Sequence, residues 1–208
     1  IVVDAVLVEH IVGLAAEWPH LKTLVVVGDL AVDVPPCWRK VTRSDSLAHE
    51  PWTGDEPRPQ DIFCIMYTSG TTGPSKGVLM PHCHCALLGL GAIRCLEINE
   101  NDKYYICLPL FHANGLFMQL GATVQSQIPA FLKQRFSASS WLSDIRESGA
   151  TLTNHLGTTA AFVINQPPTE QDRNHHLRAS LNAPNPAQHE AVFRERFGVK
   201  DVVSVFGM

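Results

Sequence analysis

The sequence contains no hydrophobic run long enough to cross a membrane. A spanning helix needs about 20 consecutive apolar residues, whereas the longest run, residues 85–93, is short and interrupted by glycine. Charge is also sparse: 16 basic and 20 acidic side chains give a net charge of −4, with no basic stripe of the kind that binds nucleic acid. The sequence therefore excludes a membrane-spanning helix and gives no reason to expect a nucleic-acid partner.

The six cysteines show no spaced pairing that would indicate a disulfide framework. The segment 82–85, His-Cys-His-Cys, suggests a metal site, but zinc sites draw ligand pairs from separated segments and no second cluster matches it. The histidine pair at 175–176 lies in a polar stretch and is discounted in the same way. We therefore expect no resident metal and a reduced, cytoplasmic setting.

Short apolar runs alternate with longer stretches whose apolar residues recur at helical spacing. The runs 24–28 and 61–67 predict buried strands, and the stretch 186–197, closed by Gly198, predicts an amphipathic helix. Strands separated by helices imply crossover connections and a mainly parallel sheet. The sequence therefore predicts an α/β fold with mainly parallel sheets and helices on their faces.

The same patterns extend the prediction to most of the chain. Further strands are predicted at residues 104–108, 128–132, 151–154, 177–181 and 202–206, with one more near Val41 in the otherwise irregular stretch 29–59. Further helices are predicted at residues 3–16, 78–96, 115–124, 139–147 and 158–165.

The strongest chemical signal comes directly after the predicted strand 61–67. The ten residues 68–77 contain three glycines, three threonines and two serines, with Lys76 before the last glycine. Glycine lets the backbone bend so that successive amide N–H groups meet one anion, and hydroxyls add donors that can rotate. Lys76 adds a positive charge, and the helix predicted from residue 78 would add the partial charge of its first turn. The segment therefore predicts a polyphosphate site.

Two familiar phosphate motifs do not fit this segment. A Walker A motif needs glycine immediately before the lysine and Ser or Thr after it, whereas Lys76 lies between Ser75 and Gly77. A dinucleotide fingerprint needs Gly-x-Gly-x-x-Gly, which the segment lacks. The remaining alternative is a flexible loop without a ligand, and a position between a buried strand and a helix argues against it.

Residues 68–77 resemble the phosphate-binding signature of the adenylate-forming superfamily, which comprises acyl-CoA synthetases, firefly-type luciferases and the adenylation domains of peptide synthetases. Members commonly contain Thr-Thr-Gly-x-Pro-Lys-Gly; here the proline comes one residue early and the lysine position is preserved. The resemblance implies that a set of residues in this segment contacts the nucleotide: Thr68, Ser69, Gly70, Thr71, Thr72, Gly73 and Lys76.

A second motif, Leu-Pro-Leu-Phe-His-Ala-Asn-Gly at residues 108–115, resembles another core motif of this superfamily. At this place the family has an aromatic or histidine side chain near the carboxylate that is activated. The resemblance implies that His112 is a substrate-side residue and, with Lys76, a catalytic one. The alternative is a histidine that only caps a strand-to-helix turn.

Two weaker matches concern the nucleotide. The sequence Leu-Asn-Ala-Pro at 181–184 takes the place of a small-residue turn against which adenine packs in the family, which implies nucleotide contacts for Asn182, Ala183 and Pro184. Residues 204–208 resemble the start of an aromatic-Gly-x-Thr-Glu motif, which implies that Gly207 and Met208 also contact the nucleotide. The Thr and Glu of that motif, which the family uses for phosphate and magnesium, would come next.

Within the superfamily, residues 154–168 and 181–184 most resemble the carnitine/crotonobetaine and medium- to long-chain acyl-CoA ligases. This resemblance implies substrate contacts for Asn154 and Gly157. It also implies a two-step reaction, in which a carboxylic acid attacks the α-phosphate of Mg-ATP and coenzyme A then takes the acyl group from the adenylate. ATP, Mg²⁺ and coenzyme A are thus the expected cofactors, and a carboxylic acid is the expected substrate.

The sequence starts at Ile1 and stops at Met208 directly after an apolar run, so we expect an internal piece of a longer protein. The expected organisation is a partial AMP-binding N-terminal domain, with residues 1–60 upstream and 61–208 as the nucleotide- and substrate-binding core, lacking a C-terminal domain. Such a piece is expected to be inactive alone. Two alternatives stay open: a non-catalytic nucleotide- or acyl-binding relative, and an adenylation domain that loads a carrier protein.

Overall fold

The computed structural model describes residues 1–28, 34–42, 53–68 and 73–205. The chain divides into two compact units, residues 1–56 and 57–208. No helix in the described ranges is long and apolar enough to cross a bilayer. Eight of the described strands belong to two wholly parallel sheets, one of three strands and one of five. The predicted α/β class with mainly parallel sheets is therefore confirmed.

The unit of residues 1–56 contains a three-stranded parallel sheet in the order β1 (Val2–Asp4), β2 (Thr23–Val27), β3 (Arg39–Thr42). Between β1 and β2 the chain forms a 3₁₀ turn (Ala5–Leu7), helix α1 (Val8–Gly13) and a second 3₁₀ turn (Ala15–Glu17). Apolar side chains of sheet and helix form one core, which includes Val8, Leu24, Val26 and Trp38.

The helix predicted over residues 3–16 is wrong at its start, because Val3 is a strand residue paired with Val26. The first residues of a helix leave their N–H groups without helical partners, whereas here the backbone of residues 2–4 joins a neighbouring strand. The strand predicted near Val41 is confirmed as β3, which pairs with β2.

The unit of residues 57–208 begins with an antiparallel hairpin of β4 (Ile62–Tyr67) and β5 (Gly77–Pro81). Tyr67 pairs with Gly77 at the end next to the phosphate-loop segment, and helix α2 (His82–Cys95) follows β5. The helix predicted over residues 78–96 is therefore wrong in its first four residues. Their backbone pairs with β4 instead, which places a strand between Lys76 and the helix.

A five-stranded parallel sheet forms the centre of this unit. Its strands are β6 (Tyr104–Ile106), β7 (Ala130–Leu132), β8 (Leu152–Leu156), β9 (Ala179–Ala183) and β10 (Asp201–Ser204). In space they follow the order β10–β9–β8–β6–β7. The chain thus moves from β6 to one edge for β7, then crosses back to the other side of β6 for β8. Counted from β6 this is the 2-1-3-4-5 order of a doubly wound sheet.

Helices cover both faces of this sheet. On one face lie α2 and a π-helix (Asn114–Gly121) that continues as α3 (Ala122–Ser126), packed against Tyr104, Leu152 and Leu181. On the other lie α4 (Trp141–Ser148), α5 (Gly157–Ile164) and α6 (Ala187–Glu195), packed around Tyr105. Because neighbouring tyrosines of β6 point to opposite faces, one short strand belongs to both cores.

Most of the remaining element predictions agree with the structure. The predicted strand 177–181 lies two residues later, as β9, and the predicted helix 115–124 begins as a π-helix. The predicted strand 202–206 is β10, which ends at Ser204, and residue 206 lies outside the described ranges. The predicted helix 186–197 is α6, after which Gly198 has a φ of +72°.

A network of polar side chains ties together the amino ends of the sheet strands. The Arg178 guanidinium, just before β9, donates to Asp102, just before β6, with Nη2 2.7 Å from Oδ2. The Thr151 hydroxyl, just before β8, donates to the other carboxylate oxygen at 2.7 Å. Burial would raise the pKa of Asp102, but hydrogen bonds from Arg178 and its neighbours hold that pKa below its ordinary value. This edge of the sheet is therefore filled by protein groups.

His155 on β8 lies inside the core between the aromatic rings of Trp141 and Phe193, each 5.3 Å away between centroids. Its side chain is fully buried, and Nδ1 lies 3.3 Å from the Thr159 hydroxyl. Burial lowers the pKa of His155 to about 3, so its ring stays neutral in the folded protein near pH 7.

Acid should weaken the fold through His155. In the unfolded chain the histidine takes up a proton below pH 6.5, whereas in the folded protein it stays neutral to about pH 3. The contribution of His155 to the free energy of unfolding is therefore complete above pH 6.5 and is lost as the pH falls towards 3. Between pH 7 and pH 5 the free energy of unfolding should fall by about 2 kcal/mol through this residue. Urea denaturation of wild type and His155→Leu measures the difference in pH dependence.

The exposed His176 provides the control, because His176→Leu removes a histidine without touching this core. That variant should keep the wild-type pH dependence. If His155→Leu also keeps it, His155 is not held neutral by burial and the assignment is wrong.

Candidate active site

The sheet has a crevice at the carboxyl end of β6, where the strand order reverses. Since the chain leaves β6 towards β7 on one side and returns to β8 on the other, the connecting segments diverge there and leave space. A cavity of about 630 Å³ opens between the segments that follow β6, β7 and β8. This volume lies in the range of small-molecule sites, about 300–1,000 Å³.

The cavity has apolar walls and few polar groups. Its walls come from residues 107–112, which follow β6, residues 132–136 around the end of β7, and Leu156 and Thr159 at the β8–α5 junction. The polar residues that line it are His112, Lys133, Gln134, Arg135 and Thr159. An apolar pocket with a few convergent polar groups is the usual form of a ligand site.

His112 lies in a tight turn between β6 and the π-helix. Its amide donates to the Pro109 carbonyl at 3.1 Å, and its own carbonyl accepts from Leu116 at 2.9 Å. The His112 side chain is exposed, with its ring 4.7 Å from that of Phe111. Among the described residues neither ring nitrogen has a hydrogen-bond partner, so the turn is closed by backbone groups and leaves the imidazole available.

Gly115 allows this turn to close. A Cβ at this position would lie 2.5 Å from the Pro109 carbonyl oxygen and 2.8 Å from that of Leu108. Real Cβ atoms do not approach a carbonyl so closely, and both oxygens belong to backbone that cannot rotate away. The glycine therefore sets the position of the turn that presents His112.

A relay of hydrogen bonds joins this turn to the sheet. The Tyr104 hydroxyl donates to Asn154 Oδ1 at 2.7 Å, and Asn154 Nδ2 donates to Asn114 Oδ1 at 2.7 Å. Tyr104 and Asn154 are fully buried, and Asn114 is the first residue of the π-helix. Asn154, predicted as a substrate residue, thus has both of its polar atoms engaged by protein side chains.

The residues predicted to contact adenine lie at the same edge of the sheet. Asn182 and Ala183 end β9, with Ala183 paired to Leu156 of β8. A Cβ on Gly157 would lie 3.1 Å from the Pro184 ring, so the turns after β8 and β9 touch at this glycine. Asn182 is fully buried, and its Oδ1 accepts from Ser180 at 2.7 Å. Ala183 and Pro184 are the more accessible part of this turn.

The two ends of the phosphate-loop segment are held together as the end of the hairpin. The Thr68 amide donates to the Lys76 carbonyl at 3.0 Å, and the Lys76 amide donates to the Thr68 hydroxyl at 3.3 Å. Thr68, Gly73 and Lys76 are exposed, and Lys76 has no ion pair in the part of the chain that the structure describes. The loop residues Ser69, Gly70, Thr71 and Thr72 lie outside the described ranges, as do Gly207 and Met208.

The prediction that the first turn of a helix adds its partial positive charge to this loop is wrong. Helix α2 begins at His82, and the five residues of β5 separate it from Lys76. At about 3.3 Å per strand residue this is roughly 16 Å, whereas the partial charge of a helix end acts within about one turn. Among the described residues, the positive charge at this segment is therefore that of Lys76.

One small apolar cluster joins the hairpin to the His112 turn. Its buried members are Met80, Cys85 and Phe117, and packed against them are residues of the hairpin, of α2 and of the π-helix start, namely Cys64, Met66, Leu88, Ala113 and Leu116. Met66 is two residues from Thr68, and Ala113 adjoins His112. The structure therefore brings the stem of the phosphate loop and the His112 turn into one packed unit.

Sequence reasoning missed two groups of residues at this site. Lys133 and Arg135 follow a strand that was predicted, but only the strand order places the end of β7 beside that of β6. Tyr104 and Asn114 were missed because a hydrogen-bond relay between strand and helix leaves no pattern along the chain.

A family model described as AMP-binding enzyme matches residues 2–208, so the chain belongs to this family. The predicted membership of the adenylate-forming superfamily is confirmed.

Among curated relatives, the chain is similar to the medium/long-chain-fatty-acid–CoA ligase FadD17 of Mycobacterium marinum, with 34% identity over 140 residues, 67% of this chain and 28% of that protein. It is also similar to the sulfoacetate–CoA ligase of Cupriavidus necator, with 31% identity over 201 residues, 92% of this chain and 39% of that protein.

Solved structures share the fold. The ATP-bound RpMatB-BxBclM chimera B1 aligns with 100% of this chain and 39% of its own, at a TM-score of 0.79 and 23% identity. O-succinylbenzoate coenzyme A synthetase (MenE) from Bacillus subtilis, in complex with AMP, aligns with 96% of this chain and 41% of its own, at a TM-score of 0.68 and 24% identity. At such identities the likeness concerns the fold alone. The chain spans less than half the length of these relatives and structures.

Replacing Gly115 by alanine should displace the His112 turn. The added Cβ would meet the Pro109 carbonyl oxygen at 2.5 Å, and relief requires a backbone shift. We expect Gly115→Ala to lower the free energy of unfolding by about 1–3 kcal/mol, measured by urea denaturation. The matched control is Gly91→Ala in α2, where the Cβ meets nothing within 4 Å and helix propensity predicts a gain of up to about 1 kcal/mol. Equal effects of the two substitutions would contradict the close approach.

Proposed function

We propose that the protein containing this chain is an AMP-forming acyl-CoA ligase. It would activate a carboxylic acid with ATP to an acyl-adenylate and then form a thioester with coenzyme A. One observation carries this proposal: the hairpin that ends at the exposed Lys76 packs against the His112 turn, and that turn lines a cavity where the strand order of the sheet reverses. Similarity to two CoA ligases supports the same reaction.

The first step requires two anions to meet. A carboxylate oxygen attacks the α-phosphorus of ATP, a new P–O bond forms, and the bond to the β-phosphate breaks to release pyrophosphate. Repulsion between the carboxylate and the triphosphate opposes this approach, and fixed cations and N–H donors offset it. Lys76 is suited to this role because its side chain is exposed at the loop and unpaired among the described residues.

His112 would orient the carboxylate for this attack. His112 lines the cavity, and neither of its ring nitrogens is bound by a described protein group. A ring N–H directed at one carboxylate oxygen would hold the other towards the nucleotide, which is catalysis by orientation. Asn154 then has a positioning role, since it connects Tyr104 of the sheet to Asn114 beside this turn.

Mg²⁺ would enter the site bound to ATP, as part of the substrate. The described ranges contain no group of three or more His, Cys, Asp or Glu side chains placed to hold a metal ion. The ion would neutralise part of the triphosphate charge, and the chain's own contribution would remain the lysine and the amide donors of the loop. Ala183 and Pro184, at the turn after β9, would face the adenine ring, and Gly157 would allow that turn to approach β8.

Pyrophosphate exchange into ATP tests the proposal with the full-length protein and a panel of carboxylic acids. Exchange that depends on one class of acid is expected, and Lys76→Ala should reduce it by about 100-fold, the usual cost of losing one donor to a developing anion. Lys200→Ala is the control, because Lys200 is also exposed and lies at the turn before β10. It should retain wild-type exchange.

Absence of exchange with every acid, together with measurable ATP binding, would contradict the proposal and favour a non-catalytic binding protein. Acid-dependent exchange without thioester formation from coenzyme A would favour an adenylation domain that loads a carrier protein. An unchanged rate of pyrophosphate exchange in Lys76→Ala would show that Lys76 does not bind the phosphates.

A further inference from the structure

A second cavity lies on the face of the five-stranded sheet that α4 and α5 cover. Its volume is about 290 Å³, close to the lower end of the usual range for small-molecule sites. Its walls come from the segment 138–146, which includes most of α4, from Val163 of α5 and from the segment 166–172 that follows α5. Among the described residues, none lines both this cavity and the one beside His112. The two cavities are therefore separate.

Trp141, the first residue of α4, brings an unused hydrogen-bond donor to this cavity. Its side chain is fully buried and packs against the rings of His155, Phe193 and Phe197. Its Nε1 is buried too and has no hydrogen-bond partner among the described residues. A buried indole N–H usually has a partner, and leaving it unpaired is costly. Because Trp141 lines the cavity, an acceptor on a bound ligand would supply that partner.

Arg146 brings an uncompensated positive charge. One of its nitrogens, Nη1, donates to the Gln171 carbonyl at 3.2 Å, and the side chain has no ion pair in the part of the chain that the structure describes. The one acidic residue that lines the cavity, Asp172, is already neutralised. Its Oδ1 accepts from the Thr169 hydroxyl at 2.7 Å, and its Oδ2 accepts from the Arg196 guanidinium. The cavity therefore offers one net positive charge.

The other lining groups narrow the choice of ligand. The side-chain donors of Ser143, Gln166 and Thr169 are already engaged by neighbouring protein groups. The apolar part of the lining comes from Ala138, Leu142, Val163 and Pro167. An indole N–H and a guanidinium thus remain for a ligand, next to apolar walls. A carboxylate on a small apolar body matches both features, whereas inorganic phosphate would leave the walls unused.

We infer that this cavity binds a small apolar monocarboxylate, whose oxygens accept hydrogen bonds from the Arg146 guanidinium and the Trp141 indole. A guanidinium presents a fork of N–H donors that suits a carboxylate, and its charge is permanent near neutral pH. The site needs no ATP, no reacting group and no part of the cavity beside His112. It is therefore independent of the proposed function.

The test titrates benzoate into the full-length protein labelled with ¹⁵N in its tryptophan indoles. The resonance of the Trp141 indole N–H, identified by its loss in Trp141→Phe, should move and reach a plateau as the new hydrogen bond forms. Arg146→Gln should raise the Kd of benzoate at this resonance about tenfold or more, as expected for a lost hydrogen bond to a charged group. Arg146→Lys keeps the charge and should recover part of the lost affinity.

Matched probes and a matched variant provide the controls. Benzamide has the same body without the charge, so it should bind wild type more weakly than benzoate and lose less affinity in Arg146→Gln. Inorganic phosphate should also bind more weakly than benzoate. Arg94→Gln, at an exposed position in the last turn of α2, removes an arginine away from the cavity and should leave the Kd of benzoate unchanged. Pyrophosphate exchange should stay at the wild-type rate in Arg146→Gln.

Several results would overturn the inference. A Trp141 resonance that does not respond to benzoate would show that the cavity binds no carboxylate, and an unchanged Kd in Arg146→Gln would remove the charge from recognition. Equal affinity for benzoate and benzamide, or for benzoate and phosphate, would contradict the ligand class. If Trp141→Phe does not fold, calorimetric titration of wild type and Arg146→Gln with benzoate decides: a weakened binding event in the variant supports the site, and identical titrations overturn it. Absence of pyrophosphate exchange in wild type would refute the proposed function alone.

Discussion

The position of β6 is the constraint on which the rest of the second unit depends. Its two tyrosines enter the cores on opposite faces of the sheet. The Tyr104 hydroxyl donates a hydrogen bond to Asn154, and the Tyr105 hydroxyl donates one to Asp144. Because the chain leaves this strand to one side and returns on the other, the space at its carboxyl end stays open. The amino edge is occupied by the Arg178–Asp102–Thr151 network. The cavity beside His112 follows from the topology, and side chains only decide what it can bind.

The distribution of charge separates structural from functional cations. The buried carboxylates Asp102, Asp144 and Asp172 each have a basic partner, namely Arg178, Lys133 and Arg196. A buried carboxylate without such a partner would be costly, so these three cations are committed to the fold. Lys76 and Arg135 have no such commitment within the described ranges. Lys76 stands at the proposed triphosphate site, and Arg135 lines the cavity at the carboxyl end of β6.

How much could be predicted from the sequence depended on whether a feature is local. The strands and helices after residue 100 follow from apolar periodicity, and Lys76 and His112 stand in motifs that are continuous along the chain. Val78 and Leu79 were misassigned to a helix, because only pairing with Met66 and Ile65 of β4 shows that they form a strand. Arg135 and the Tyr104–Asn154–Asn114 relay could not be foreseen, since they depend on which strands become neighbours.

In the proposed reaction, the carboxylate attacks the α-phosphorus of ATP. The most direct test supplies the full-length protein with ATP, coenzyme A and an acid whose carboxyl group is labelled with ¹⁸O. We expect one labelled oxygen in the phosphate of AMP for each thioester formed. Labelled inorganic phosphate with ADP as the other product would show attack at the γ-phosphate and would contradict it.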